Sequence, residues 1–313
     1  MKNVTSLKSV NSASNDAFPS RFGRLAIFCC LLLSRVLGGA ADVQLVQSAT
    51  AIAPLATKLV CALPNGPTNL NTLIAVIGAS DSVKSISQVG ANWVKATEVL
   101  NTGRPLEIWY APRVIGASNL LTINFDWFDL ALPGAAVVME YSGLRVVDCL
   151  DRTNTAVGTG TNVSITIPNP TTQAEELWIG GIRIEDNIPT LTTLLNSFTA
   201  LDTATAIRAE STWSVKTKVF AVGRVANAIE SPSLGVELSP FSSSYYSGWA
   251  GAMATFKAFG PKAPSMVTES SSVNPSTVGS DVTFTATVWP GNATGSVTFK
   301  DGAKTLGTSS LKP

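Results

Sequence analysis

Leu121-Thr122-Ile123-Asn124-Phe125 puts every second side chain on an apolar face, whereas Leu73-Ile74-Ala75-Val76-Ile77 is apolar at every position. The first pattern is that of a strand with one buried face. The second is that of a central strand covered on both faces. Outward from these two, segments of similar character recur at residues 43–50, 57–63, 93–100, 106–110, 135–141, 162–167, 177–185, 206–211, 216–222 and 250–257. Gly, Pro, Asn and Asp stand between them, mostly about eight to sixteen residues apart, which is the punctuation of short strands and turns. No long stretch carries a helical period, and 189–201 is the one place where a short helix fits. The expected fold of residues 42–259 is therefore all-β, a jelly-roll-like two-sheet antiparallel sandwich, with a closed barrel as the alternative.

Composition narrows the chemistry. Of 313 residues, 45% are hydrophobic and 14% charged, enough for a sizeable core. There is no histidine, which removes Ser-His-Asp and Cys-His catalysis and any His-ligated zinc. Carboxylate pairs, Ser-Lys arrangements and oxygen-ligated calcium remain open. No other cofactor is called for.

The first 41 residues read as a secretory signal peptide, with an uncleaved anchor as the alternative. Arg21 and Arg24 precede the apolar run 25–33, and Gly38-Gly39-Ala40-Ala41 supplies small residues for cleavage. As a helix, 25–37 would reach only about 20 Å, short of the roughly 30 Å of a bilayer core. No stable membrane span is expected after cleavage. Removing Lys2, Lys8, Arg21, Arg24, Arg35 and Asp16 takes the basic residues from 22 to 17 and the acidic ones from 21 to 20, a net of −3. Such a body, without a basic run, does not supply the phosphate neutralisation of nucleic-acid binding. Of the cysteines, 29 and 30 lie in the leader, leaving Cys61 and Cys149. In an oxidising compartment this pair is a disulfide candidate, with two separate buried thiols as the alternative.

Near the C-terminus, Ser271-Ser272-Val273-Asn274-Pro275-Ser276-Thr277-Val278-Gly279 runs into Val282-Thr283-Phe284-Thr285-Ala286-Thr287-Val288. Gly295-Ser296-Val297-Thr298-Phe299-Lys300-Asp301-Gly302 follows, then Thr305-Leu306-Gly307-Thr308. This resembles the opening half of the bacterial Ig-like repeats of exported surface and adhesion proteins. The resemblance implies a partial Ig-like domain over 268–313, acting as a spacer; before it, Gly260, Pro261 and Pro264 make 260–267 read as a linker. The body resembles a module of secreted bacterial proteins that is often joined to such repeats. The likeness rests on Ala91-Asn92-Trp93-Val94-Lys95-Ala96, Glu107-Ile108-Trp109-Tyr110-Ala111-Pro112, Glu140-Tyr141-Ser142-Gly143-Leu144, Ala174-Glu175-Glu176-Leu177 and residues 249–258. It implies a β-sandwich fold and no particular activity. Where that pattern has a proline after Asp148, this chain has Cys149, which favours a local role for that thiol.

Two stretches are candidate binding loops. Asp126-Trp127-Phe128-Asp129 puts carboxylates beside an indole, suited to calcium or a sugar, or to a turn and a packed tryptophan. Ser242-Ser243-Ser244-Tyr245-Tyr246-Ser247-Gly248-Trp249 sets ring faces among hydroxyls, the pairing that pyranose recognition uses. Trp249 reads equally well as the start of a core strand. Glu140, Glu175 and Glu176 are the carboxylates within or beside strands, and Glu185-Asp186-Asn187 and Asp148-Cys149-Leu150-Asp151 are acidic turns. The resulting expectation is a secreted or cell-surface, non-enzymatic binding and adhesion protein. Its ligand would be an extracellular polysaccharide or a surface protein, carbohydrate foremost. A pure spacer and a His-free glycan hydrolase are the alternatives.

Overall fold

A computed structural model describes residues 2–5, 43–126, 133–186, 188–209, 214–242, 248–259, 266–273, 281–289, 295–301 and 304–311. The described residues contain strands and no helix. In chain order the strands are β1 (Lys2–Thr5), β2 (Gln44–Ala53), β3 (Lys58–Ala62), β4 (Thr72–Gly78), β5 (Val83–Ser87), β6 (Val94–Asn101) and β7 (Arg104–Ala111). Next come β8 (Leu120–Phe125), β9 (Gly134–Ser142), β10 (Leu150–Thr159), β11 (Asn162–Thr166), β12 (Glu175–Ile184), β13 (Leu191–Leu194) and β14 (Thr199–Ala209). The last are β15 (Ser214–Asn227), β16 (Ser233–Leu238), β17 (Gly248–Lys257), β18 (Met266–Ser271), β19 (Phe284–Trp289), β20 (Gly295–Asp301) and β21 (Lys304–Leu311). Among the described residues no helix is long and apolar enough to cross a membrane, which says nothing about strands. The chain divides into two units, Ala41–Gly260 and a second made of Met1–Ala40 with Pro261–Pro313.

The larger unit is four sheets deep. Its sheets have the orders β3-β8-β5, β2-β9-β4-β7-β6, β10-β17-β12-β15-β14 and β11-β16-β13. The all-apolar β4 explains the layering, because its two faces serve two cores. Leu73, Ala75 and Ile77 pack toward β3, β5 and β8 with Leu59, Cys61, Leu121 and Ile123. Ile74 and Val76 pack the other way, with Leu177, Ile179, Val219, Ala221, Ala252 and Phe256. Beyond that second five-stranded sheet, Trp178, Ile182, Phe220 and Val222 pack on Val163, Ile165, Leu234 and Val236. The all-β, jelly-roll-like antiparallel sandwich expected from the sequence is present, and it is present twice.

The two copies follow one plan. Adding eight to each strand number of β2-β9-β4-β7-β6 gives β10-β17-β12-β15-β14, and the same shift turns β3-β8-β5 into β11-β16-β13. Each copy is therefore an eight-stranded roll with one five-stranded and one three-stranded sheet. Loop hydrogen bonds repeat as well. Leu63 N donates to Asn119 O as Ile167 N does to Pro232 O, and Phe125 N to Thr57 O as Leu238 N to Thr161 O. Asp126 N donates to Ser82 O as Ser239 N does to Thr190 O.

The five-stranded sheets stack with β2 over β14 and β6 over β10 and β17. That exchange of partners is the mark of a self-complementary interface, so a pseudo-two-fold axis runs along the strands between the rolls. Equivalent glycines sit where the sheets come closest. A Cβ on Gly181 would lie 2.5 Å from Val76 Cγ1, and one on Gly78 would lie 2.6 Å from Val219 Cγ2.

Both rolls point the same way along this axis. At one pole, Arg104 pairs with Glu185, Asn101 Nδ2 donates to Trp249 O, and Thr217 Oγ1 donates to Pro133 O. At the other, Tyr110 packs edge-on against Phe256 and Leu144 bridges Ala258. The chain enters the unit at this second pole, where Gln44 pairs with Ser142. It leaves there too, at Phe259, whose amide bonds Gly143 O.

Three details depart from the sequence reading. Residues 189–201 form no helix. They supply β13, a turn with Asn196 and Ser197 at φ 56° and 62°, and the start of β14. The Thr- and Asn-rich β10 is an edge strand that the apolar pattern did not signal. Cys61 and Cys149 are free thiols rather than a disulfide. Cys61 packs between β3 and β4 and Cys149 between the two rolls, on opposite faces of the β2-β9-β4-β7-β6 sheet, so they cannot meet.

The smaller unit pairs β1-β19-β18 in one sheet and β20-β21 in another, around Ala286, Val288, Val297 and Phe299. Strand β1 lies within the expected leader and pairs with β19, Lys2 opposite Val288.

Candidate functional site

The two candidate loops prove to be one loop in two copies. Residues between β8 and β9 and those between β16 and β17 are the same connection of the jelly roll. Each leaves its outer sheet after the matching amide bond of Asp126 or Ser239, and each enters its inner sheet at the pole of Arg104 and Glu185. Trp127, Asp129, Tyr245 and Tyr246 lie outside the described residues. Asp126 is exposed, its side chain 61% accessible, with Lys84 Nζ 3.7 Å away. Asp126 and Trp249 are not brought together. They stand on different rolls and in different layers.

Trp249 does not face solvent. It is 5% exposed and belongs to the core between β17 and β11. Its ring lies over Gly158, where any larger residue would collide with it, and in ordinary contact distance of Gly251, where a larger residue would collide with Ile165. Of the two sequence readings of this indole, the structure takes packing.

Around this pole the acidic turn of Glu185 and Asp186 is tied down. Glu185 accepts from Arg104 and, at 3.1 Å, from Thr102 Oγ1, and lies 3.4 Å from Arg183 Nη2. Arg183 is buried, and burial lowers its guanidinium to about 10. The Asp186 carboxylate accepts from Ile188 N at 3.1 Å and Ser242 N at 2.6 Å, which anchors the start of the β16–β17 connection. Asn187 lies outside the described residues.

The other pole holds the buried carboxylates. Glu140 is fully buried on β9 and accepts from Thr68 N at 2.8 Å, Asn71 Nδ2 at 2.6 Å and Gln47 Nε2. It fastens the Pro64-Asn65-Gly66-Pro67-Thr68 loop to the sheet. The second roll fastens the end of its matching Pro168-Asn169-Pro170-Thr171 loop from a different strand, β10, where β17 is the counterpart of β9. Asp151 takes Thr172 N at 2.7 Å and Thr172 Oγ1 at 2.6 Å. That Pro-Asn-(Gly)-Pro-Thr recurrence is the sequence signal that would have revealed the duplication.

Beside Asp151 stands Glu176, fully buried, with neither carboxyl oxygen in a well-formed hydrogen bond. Burial raises it to about 8, helped by Asp151 and opposed by the Thr255 hydroxyl and Lys257. Asp151 moves the other way. Burial works against its ionised form, but the Thr172 bonds, Glu176 and Lys257 hold it below its ordinary value. Lys257 Nζ closes the cluster, 2.7 Å from the exposed Asp148 and 3.7 Å from Asp151. Glycoside hydrolysis needs two carboxyls about 5–10 Å apart with the sugar between them. Asp151 and Glu176 instead act on each other as direct neighbours in the packed junction. Cys149 lies at the same junction, its thiol pushed by burial up to about 12, and Cys61 in the other core is raised to about 11.

Among the described residues no cluster of acidic groups or cysteines has the form of a metal site. The chain matches no protein-family model, no curated protein and no solved structure.

Proposed function

We propose that this chain is a secreted or cell-surface binding and adhesion protein, non-enzymatic, with extracellular carbohydrate as its ligand class and the Ig-like segment as a spacer. One observation carries the reading. The two stretches with the chemistry of sugar recognition belong to the same connection of two rolls, whose described ends (Asp126 and Pro133, Ser239 and Gly248) stand at one pole, while the chain enters and leaves the unit at the opposite pole. A ligand face turned away from its attachment is the arrangement an adhesin needs. The resemblance of the C-terminal segment to Ig-like repeats, and the leader, support export. The carboxylates that a hydrolase would use are committed to loop anchoring and to each other.

The test is retention of the full chain on cellulose, chitin, xylan and pullulan, with Tyr245→Ala/Tyr246→Ala as control. Retention on one polymer, lost in the double variant, is the expected result. No retention on any of them would leave the spacer reading ahead.

A further inference from the structure

We propose that Lys257 and Asp151 condense into an amide that ties β17 to β10, the last and first strands of the second roll, with Glu176 passing the proton in that step. The bond is independent of the ligand reading. Strands β10, β17 and β12 are consecutive in one sheet. Lys257 lies directly opposite Glu176. Asp151 sits at the irregularity of β10 where Leu150 and Thr153 pair with Phe256 and Ala254. Lys257 Nζ is 3.7 Å from Asp151 Oδ1, and the two side chains are only 10% and 3% exposed. Glu176 is fully buried beside them, with neither oxygen held in a well-formed hydrogen bond. A buried acid left in that state contributes nothing to loop anchoring and calls for another explanation. An acid with a proton to give and take back supplies one.

Asp151 starts out ionised, held below its ordinary value. Lys257 first hands one ammonium proton to Asp151 Oδ1. The neutral amine then attacks Cγ, and Glu176 protonates Oδ2 as the tetrahedral intermediate forms. The Thr172 amide, 2.7 Å from Oδ2, steadies the oxygen that stays. Oδ1 takes a second amine proton, the Cγ–Oδ1 bond breaks and water leaves. Glu176 recovers its proton from Oδ2, and the Cγ–Nζ bond remains. One carboxylate and one ammonium become one amide and one water, with no outside reagent. The first proton exchange makes the step slow, so the ion-paired chain outlives folding and is the form in which Glu176 titrates.

Fixed neighbours reach effective molarities of roughly 10⁵–10⁸ M, and replacing a buried ion pair by a neutral amide removes the cost of holding two charges out of water. Asp148 stands closer, 2.7 Å from Lys257 Nζ, but its side chain is 69% exposed and water keeps it ionised. It steers the amine and does not react. The amide adds a covalent bond to the hydrogen bonds that hold β17, the strand by which the chain leaves the unit.

The experiment follows the intact mass of the full chain from fresh synthesis through prolonged incubation at neutral pH. Loss of one water is expected, with trypsin no longer cutting after Lys257 and a branched peptide joining Asp151 to Lys257. Lys257→Arg and Asp151→Ala should keep their full mass. Asp151→Asn should lose one ammonia instead, forming the same bond from a side-chain amide. Glu176→Gln, checked for folding by circular dichroism, should slow the step roughly 10²-fold. A wild-type chain that keeps its full mass and is cut after Lys257 overturns the proposal. Loss of water from Lys257→Arg as well places the bond elsewhere and overturns it too. Joining of Glu176→Gln at the wild-type rate overturns the role of Glu176.

Discussion

Replacing Glu176 by glutamine should remove a pH dependence built into the junction between the rolls. Burial lifts this carboxyl from 4.5 to about 8, so the folded chain keeps a proton there that the unfolded chain releases above 4.5. The stability tied to that proton is fully present below 4.5 and is lost as pH rises through 8. A tenfold difference in proton affinity between the folded and unfolded chains is worth about 1.36 kcal/mol, so the wild-type chain should lose about 3 kcal/mol from this group between pH 5 and pH 8. The depressed Asp151 does not blur the window. Its contribution is present above its unfolded value of 3.8 and fades only as pH falls through its lower folded value. Glutamine keeps the shape and cannot ionise. Urea titrations followed by tryptophan fluorescence should give variant and wild-type curves that lie close together at pH 5 and diverge toward pH 8, the variant being more stable. Curves that stay parallel across the range would refute the assignment of a buried neutral carboxyl at Glu176.

Gly181→Val drives a side chain into Val76 at 2.5 Å and should cost about 1–3 kcal/mol, read in thermal unfolding. Glu140→Ala strands the Thr68 amide and the Asn71 and Gln47 amides, for a loss of about 2–4 kcal/mol and earlier proteolysis of residues 64–68. Trp249→Ala empties a core position and should cost about 3–5 kcal/mol; an unchanged melting temperature would contradict its burial. Cys61 and Cys149 should resist a thiol reagent in the native chain and both react in urea, with no mass change on prior reduction.

The fold was legible where side chains report their own burial. The alternation of Leu121-Thr122-Ile123-Asn124-Phe125 and the uniform apolarity of β4 read directly as a one-sided and a two-sided strand. The duplication left one short sequence trace, the Pro-Asn-(Gly)-Pro-Thr recurrence at 64–68 and 168–171, because elsewhere what the rolls share is main-chain geometry. Leu106, opposite Gly78, and Ala221, opposite Gly181, fill equivalent places, and of the stretches Leu73–Gly78 and Glu176–Gly181 only the final glycine coincides. Edge strand β10, with Thr153, Thr155 and Thr159, buries too little to show a period. The fate of Trp249 depended on the small residues around it, Gly158 on a neighbouring strand among them, and no local window contains that. For the same reason the neighbouring of Asp151 and Glu176 emerged only once β10 and β12 were seen to flank β17.

The entry and exit of the chain at one pole of the larger unit have a mechanical meaning. With the unit held at its loop pole and pulled through Phe259, force runs along β17, from the loop pole down to Phe259. That strand is flanked by β10 and β12, with nine residue pairs running from Glu176↔Lys257 to Ile184↔Trp249 on one side alone. Tension along the strand loads these bonds together, in shear, instead of unzipping them one after another. The lifetime of the unit under load is then set by the barrier to sliding β17 out of the sheet.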